Sequence, residues 1–231
     1  MKGNKTSLNR ICSCVFMLLM IVSVVLCTGC HGKEQIQGEV LVYVQLPYEV
    51  EGTNITIESL SQASVPNPDS DGSFVDNIAC VEVKNNGDTY ISDAKLILEM
   101  QDGTEFIYII NDMPPGSLVQ AFDVNNTVYD GESACKKITV ENLTKEEGSQ
   151  LMEDVIGIDV EETIVTLTNI SDETLHHISI VCHCDMDGSY FGGCSYTYDI
   201  ESIPVGESID VDASDCYLGQ ASVVRVYRNH E

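Results

Sequence analysis

Tryptophan is absent from this chain of 231 residues, and basic side chains are scarce. The sequence has 11 Lys and Arg against 37 Asp and Glu, so its formal net charge is −26 at pH 7. Such a surface excludes nucleic-acid binding, because that binding depends on Lys and Arg contacts to backbone phosphates. It also disfavours lying flat on anionic lipid, which attracts basic segments. The charge fits a solvated extracellular module or, as the alternative, one that collects cations such as Ca²⁺.

The sequence also lacks the short motifs of common catalytic chemistry, with no nucleophile elbow, no phosphate loop and no HExxH zinc motif. His176, His177 and His183 could act as bases, but no recognisable motif places a partner beside them. A nucleophilic cysteine paired with one of these histidines would have no third group to orient it. We therefore expect a protein that is not an enzyme, with no catalytic residues and no cofactor.

The start of the chain has the layout of an export signal. Residues 1–10 carry three basic side chains and no acid, and an uncharged apolar run follows from Ile11 to Leu26. A basic start, a short apolar stretch and small residues before a cleavage site are typical of a secretory signal peptide. The run is shorter than the roughly 20 residues that a membrane-spanning helix needs.

The apolar run leads into Cys27–Cys30, whose last three residues are Thr-Gly-Cys. This ending resembles the lipobox of bacterial lipoproteins. The resemblance implies cleavage between Gly29 and Cys30 and diacylation of Cys30, and two acyl chains are enough for stable anchoring. We expect the mature chain to be lipid-anchored at the cell membrane, facing outside the cytoplasm; the alternative is an uncleaved N-terminal anchor. Cleavage would remove three basic residues and no acid, changing the net charge from −26 to −29.

The remainder of the chain favours β-strands. Short runs rich in β-branched residues alternate apolar and polar positions, and turn residues such as those at Asn86–Asp88 and Asp102–Gly103 separate them. Only Thr144–Asp154 has a helical pattern, as a connection between two halves. The predicted strands are Glu39–Leu46, Asn54–Glu58, Ile78–Lys84, Ser92–Met100, Glu105–Asn111, Leu118–Val124 and Lys137–Glu141.

An internal repeat organises these strands. Val81–Asp88 aligns with Val165–Asp172, 84 residues later, and Met113–Ser117 recurs as Ile203–Ser208 at an offset of 90 residues. The second copy therefore has a six-residue insertion around Asp185–Cys194. Short strands with turns at this spacing predict an all-β fold of the sandwich type.

The Asn-polar-Asp turn before an apolar strand, and the later Pro-x-Gly turn, resemble those of the small immunoglobulin-like modules called FxLYD domains on bacterial surface lipoproteins. The resemblance covers roughly Ile78–Glu141 and Ile164–Tyr227 and implies binding, spacing or adaptor roles. We expect two tandem immunoglobulin-like β-sandwich domains, although the repeat could also form one continuous sandwich. The predicted layout is a signal peptide at 1–29, a lipidated cysteine and tether at 30–37, and domains at 38–141 and 142–231.

Six cysteines follow Cys30, an even number that in an exported chain predicts disulfides. Buried free thiols are the first alternative, and a metal site at Cys182-His183-Cys184 is the second, although the spacer of common zinc knuckles is missing. The disulfide candidates are Cys80, Cys135, Cys182, Cys184, Cys194 and Cys216. Sequence alone leaves the pairing open, and the plausible pairs are Cys184 with Cys194, Cys182 with Cys216, and Cys80 with Cys135.

Asn67–Phe74 matches the first half of a Ca²⁺ loop, with ligand candidates at positions 1, 3 and 5 and Gly at position 6. Position 12 is Ile78 rather than the bidentate Glu that completes such loops, so we expect a polar loop and no metal.

We expect a non-catalytic surface protein that acts as an extracytoplasmic binding or adaptor module for a protein or cell-wall partner. The inserted loop with Tyr190 and Phe191 is the first candidate contact surface, because loops positioned on a rigid scaffold often carry binding residues. A structural stalk or spacer is one alternative. A thiol-based metal or redox module, using the cysteines of the second repeat, is the other.

Overall fold

The computed structural model describes residues 43–66, 74–216 and 219–229. Within these ranges every regular element is a β-strand, so the predicted all-β fold is confirmed. The strands are β1 (Tyr48–Val50), β2 (Ile55–Pro66), β3 (Phe74–Asn85), β4 (Tyr90–Met100), β5 (Glu105–Met113), β6 (Leu118–Phe122), β7 (Cys135–Glu146), β8 (Ile156–Glu161), β9 (Ile164–Asn169), β10 (Leu175–Met186), β11 (Ser189–Gly192), β12 (Tyr196–Ile203), β13 (Ser208–Asp212) and β14 (Gln220–Arg228).

The two repeats fold to the same plan. In the first, β3 lies between β2 and β6, and β4 lies between β5 and β7. In the second, β9 lies between β8 and β13, and β10 lies between β12 and β14. Each repeat packs its two sheets around its own hydrophobic core. This is the sandwich arrangement, in which the inner faces of two sheets bury the apolar positions.

Strand alternation explains why these segments pack in this way. In β4, Leu96, Leu98 and Met100 are fully buried, whereas the intervening Lys95 and Glu99 remain partly exposed and pair with β7 side chains. Successive side chains of a strand point to opposite faces, so one face of β4 enters the core and the other meets solvent.

A short added strand joins the two repeats. The six-residue insertion predicted around Asp185–Cys194 contains β11, which forms a hairpin with β10 and pairs in parallel with β6. Through this pairing one sheet continues from β1, β2, β3 and β6 into β11, β10 and β12. The described residues belong to one compact unit.

The predicted helix at Thr144–Asp154 is wrong. Thr144 and Glu146 continue β7 and pair with Asp93 and Tyr90 of β4, and the residues before β8 form turns and irregular backbone. Pairing along β4 outweighs a short amphipathic pattern, because intrinsic helix propensity is a weak preference that tertiary context overrides.

The N-terminal predictions fall largely outside the described residues. Cys30, the first half of Glu39–Leu46 and all of the Asn67–Phe74 loop except Phe74 belong to the undescribed ranges. The described end of that first predicted strand, residues 43–46, is not a strand, although the Val44 N–H donates to the Cys135 carbonyl at 2.9 Å. In the described part of the chain no helix is long and apolar enough to cross a membrane.

Candidate functional site

The aromatic pair predicted as a contact loop lies in the joint between the repeats. Tyr190 stacks on His183 with ring centroids 4.7 Å apart and an interplanar angle of 4°. Phe191 meets Phe122 of the first repeat edge-on at 4.9 Å. Both rings are partly buried, and they pack against the first and second cores respectively. These contacts lie within the chain. A role for Tyr190 and Phe191 in binding a partner stays a prediction.

His183 is the most deeply buried polar residue of this joint. Its Nε2 lies 2.9 Å from both the Asn111 and Asp112 carbonyl oxygens, so this nitrogen carries a proton and donates to them. Burial lowers the pKa of His183, and hydrogen bonds to the backbone of Asp112, Asn111 and Cys194 oppose that shift. Through Nε2, His183 therefore holds the backbone at the end of β5 against β10.

A charged cluster completes the joint. The Asp112 carboxylate accepts hydrogen bonds from the Tyr90 hydroxyl at 2.8 Å and from the Ser195 hydroxyl at 2.7 Å. Arg225 donates to both carboxylate oxygens of Glu146, at 3.1 and 2.8 Å, and lies 3.8 Å from Asp112. Burial, followed by the field of Asp112, raises the pKa of Tyr90. Bidentate Arg–carboxylate pairs are geometrically specific, so the cluster fixes how β14 lies against β7.

Sequence reasoning missed Asp112, Glu146 and Arg225. The Arg225–Glu146 and Arg225–Asp112 contacts join residues that are 79 and 113 positions apart in the chain. In the sequence, each of these residues resembles a solvent-exposed position of a strand. The available signal was the scarcity of bases, since a chain with 11 basic residues places two of them, Arg225 and Arg228, in the second repeat's last strand.

A groove lies at the edge of the second repeat, and we call it the edge groove. It encloses about 600 Å³ and runs between β8 and β14. Its lining is Leu151, Glu153, Ile156, Gly157, Ile158, Val160, Asp185, Gln220, Ala221, Ser222 and Val223. More than half of these residues are aliphatic, and the charged ones, Glu153 and Asp185, are both acids.

Two strand edges border this groove. Among the strands of the described residues, β8 pairs only with β9, and β14 pairs along its length only with β10. On its outer side, within the described residues, β14 makes backbone hydrogen bonds near its two ends, from Ala221 N–H to Glu162 O at 2.8 Å and from Val226 N–H to Gln150 O at 2.6 Å. Between those bonds its outer edge faces the groove. Unpaired strand edges are templates for pairing with another extended chain.

A second hollow extends the groove around the tip of the β10–β11 hairpin. Asp185, Met186, Asp187 and Gly188 line it together with Gly219 and Gln220. The Gly188 N–H donates to the Asp185 carboxylate at 2.8 Å, which closes the predicted hairpin turn. The acidic lining therefore continues from the groove to the hairpin tip.

The cysteines after Cys30 are all described, and they are free thiols in this structure. Cys80 hydrogen-bonds Ser61, whereas the Cys135 thiol donates to the Lys137 carbonyl at 3.5 Å, so these two thiols have different neighbours. Burial raises the pKa of Cys80 to about 11. Cys194 is exposed, whereas Cys184, its predicted cross-hairpin partner, is buried in the second core.

Across residues 43–66, 74–216 and 219–229, no group of three or more His, Cys, Asp or Glu side chains is arranged to hold a metal ion. Comparison of the chain with protein-family models, with curated proteins and with solved structures found no match.

Proposed function

We propose that this chain is a non-catalytic lipoprotein, held through Cys30 at the outer face of the cytoplasmic membrane, that binds an extended basic segment of a protein partner in the edge groove. The observation that carries the binding role is that the outer edge of β8 and the middle of the outer edge of β14 border one groove, and that more than half of the lining residues are aliphatic. A peptide that adds to a strand edge gains affinity from main-chain hydrogen bonds and specificity from alternate side chains.

Charge favours a basic occupant. Glu153 and Asp185 are the charged residues that line the groove, Asp187 lies in the adjoining hollow, and the whole chain carries a net charge of −26. Complementary charge speeds association and disfavours acidic competitors. A segment that alternates apolar and basic residues would place its apolar side chains against the aliphatic lining residues and its basic ones against the acidic residues.

A matched pair of substitutions tests this site. Val160 lies in the groove and Ile209 lies on β13 outside it, and both are 36 % exposed. The probe is a fluorescent peptide in which valine and lysine alternate, titrated against the full-length chain in detergent. We expect saturable binding that weakens with salt, is lost in Val160→Arg and is retained in Ile209→Arg.

Two results would contradict this proposal. Equal losses in both variants would mean that the peptide follows net charge rather than the groove. Equal binding of a peptide with glutamate in place of lysine would remove the argument from charge.

A rigid spacer is a second candidate, because the β6–β11 pairing carries one sheet through both repeats. A chain that binds no alternating peptide, and in which Val160→Arg changes nothing, would favour it.

Intact-mass analysis of membrane-extracted protein tests the anchor itself. We expect a mass that begins at diacylated Cys30, and a chain beginning at Met1 would overturn the lipoprotein assignment.

A further inference from the structure

Three cysteines lie inside the second core. Cys182 and Cys184 occupy alternate positions of β10, so both point inward, and Cys216 lies in the turn that follows β13. All three are buried, in contrast to the exposed Cys194. The second repeat therefore contains a buried thiol cluster whose members are brought together by two different parts of the chain.

Two backbone features bring Cys216 towards the end of β10 that holds Cys184. The Cys216 N–H donates to the Ala213 carbonyl at 2.9 Å, and the Cys216 carbonyl accepts from the Gly219 N–H at 3.3 Å. Gly219 itself approaches β10 so closely that a Cβ there would lie 2.1 Å from the Asp185 carbonyl oxygen. The turn is therefore held against the residue that follows Cys184.

Of the two β10 thiols, Cys184 interacts more strongly with Cys216. Its electrostatic effect on the raised pKa of Cys216 is larger than that of Cys182. Strand register agrees, because Cys184 pairs with Ala221 of β14, close after the turn, whereas Cys182 pairs with Val223 further along. Of the two β10 thiols, Cys184 is the one positioned to react with Cys216.

We propose that Cys184 and Cys216 form an intramolecular disulfide in the exported protein, and that Cys182 stays a buried thiol. The oxidant is a disulfide of the exported compartment, in a thiol oxidoreductase or in a small thiol. One cysteine thiolate attacks that disulfide to give a mixed disulfide, and the other displaces it. The two cysteines lose two protons and two electrons, the donor disulfide is reduced to two thiols, and one S–S bond forms for the one that breaks.

Burial decides when this reaction occurs. It raises the pKa of Cys216 to about 12, with Cys184 contributing, so the reactive thiolate is scarce in the folded chain. The bond therefore forms while the second repeat is folding, and the closed core then shields it from reductants. The bridge also ties the Cys216 turn to the end of β10, where Asp185 and Gln220 line the edge groove.

The oxidised state in cells rests on the proposed export, so the first experiment removes that dependence. Full-length protein in detergent is unfolded with reductant, then refolded with oxidised and reduced glutathione. It is alkylated under denaturing conditions and digested at aspartate residues without reduction. Cleavage before each Asp leaves Cys182 and Cys184 in the peptide 172–184, Cys194 in 187–198 and Cys216 in 215–231.

We expect peptide 172–184 to be linked to 215–231 and peptide 187–198 to be alkylated. The linkage should persist in Cys182→Ala and disappear in Cys184→Ala, two matched substitutions on one face of β10. Fully alkylated peptides in refolded protein, linkage that survives Cys184→Ala, or linkage to 187–198 would each overturn the pairing. The same digestion of protein taken from the membrane separates the two proposals, because a bond that forms in vitro but is absent in cells would contradict export and leave the pairing intact.

Discussion

Replacing Asn169 with alanine tests the hydrogen-bonded turn on which each repeat is built. Asn169 is fully buried at the end of β9, and its Nδ2 donates to the carbonyls of Glu173 and Ile203, each at 2.8 Å. Its Oδ1 accepts from the Ser171 N–H at 2.9 Å. One side chain therefore joins the β9–β10 turn to the end of β12.

The cost of this substitution follows from which partners lose their hydrogen bond. The Ile203 carbonyl is buried and would be left unsatisfied, at about 1–3 kcal/mol. The two partly buried bonds, to Glu173 and from Ser171, contribute about 0.5–1.5 kcal/mol each. We therefore expect Asn169→Ala to lower the free energy of unfolding by about 2–6 kcal/mol.

Urea denaturation measures this change. The chain has 10 Tyr and no Trp, so far-ultraviolet circular dichroism with tyrosine fluorescence is the appropriate readout. We expect a lower midpoint with an unchanged slope, which indicates a change in stability alone. Asn125→Ala is the control, because this side chain is exposed, and its effect should stay within about 0.5 kcal/mol.

The equivalent residue of the first repeat extends the test. Asn85 donates to the Thr89, Met113 and Pro114 carbonyls at 2.9, 3.1 and 3.2 Å and accepts from the Gly87 N–H at 3.0 Å. We expect Asn85→Ala to cost a similar amount. A loss below about 1 kcal/mol at both positions would refute the reasoning, because a buried carbonyl without a partner costs at least that much.

Two further predictions concern the joint between the repeats. Burial lowers the pKa of His183 in the folded chain, so the unfolded chain binds protons more readily. Stability should therefore fall as the pH drops below about 6.5, at up to about 1.4 kcal/mol per pH unit until the lower folded pKa is reached. The difference between wild type and His183→Gln in urea midpoints at several pH values isolates this effect, and parallel profiles would contradict it. Gly193 has φ +75°, and a Cβ there would lie 2.7 Å from the Ile109 carbonyl oxygen, so Gly193→Ala should cost about 1–3 kcal/mol. Gly103→Ala is its control, with φ +87° and open space around the added carbon, and thermal unfolding that does not separate the two variants would show that the close approach is harmless.

The sequence determined the local structure of this protein. Alternation around Leu96 and Leu98 predicted a half-buried β4, and the repeated Asn-polar-Asp turn predicted the positions that Asn85 and Asn169 occupy. These signals survive in sequence because they depend on neighbours within one strand or one turn. The insertion near Asp185–Cys194 was also visible, since an alignment of the two copies measures it directly.

Only the tertiary structure decided how these elements meet. The pairing of β11 with β6 is parallel and joins segments some 70 residues apart, and no local pattern encodes it. Arg225 meets Glu146 only when β14 lies beside β7. Thr144 belongs to a strand rather than to the predicted helix because it pairs with Asp93 of β4. The edge groove is formed by β8 and β14, which are distant in the sequence. Its surface therefore depends on how the two strands pack and not on the residues of either strand alone.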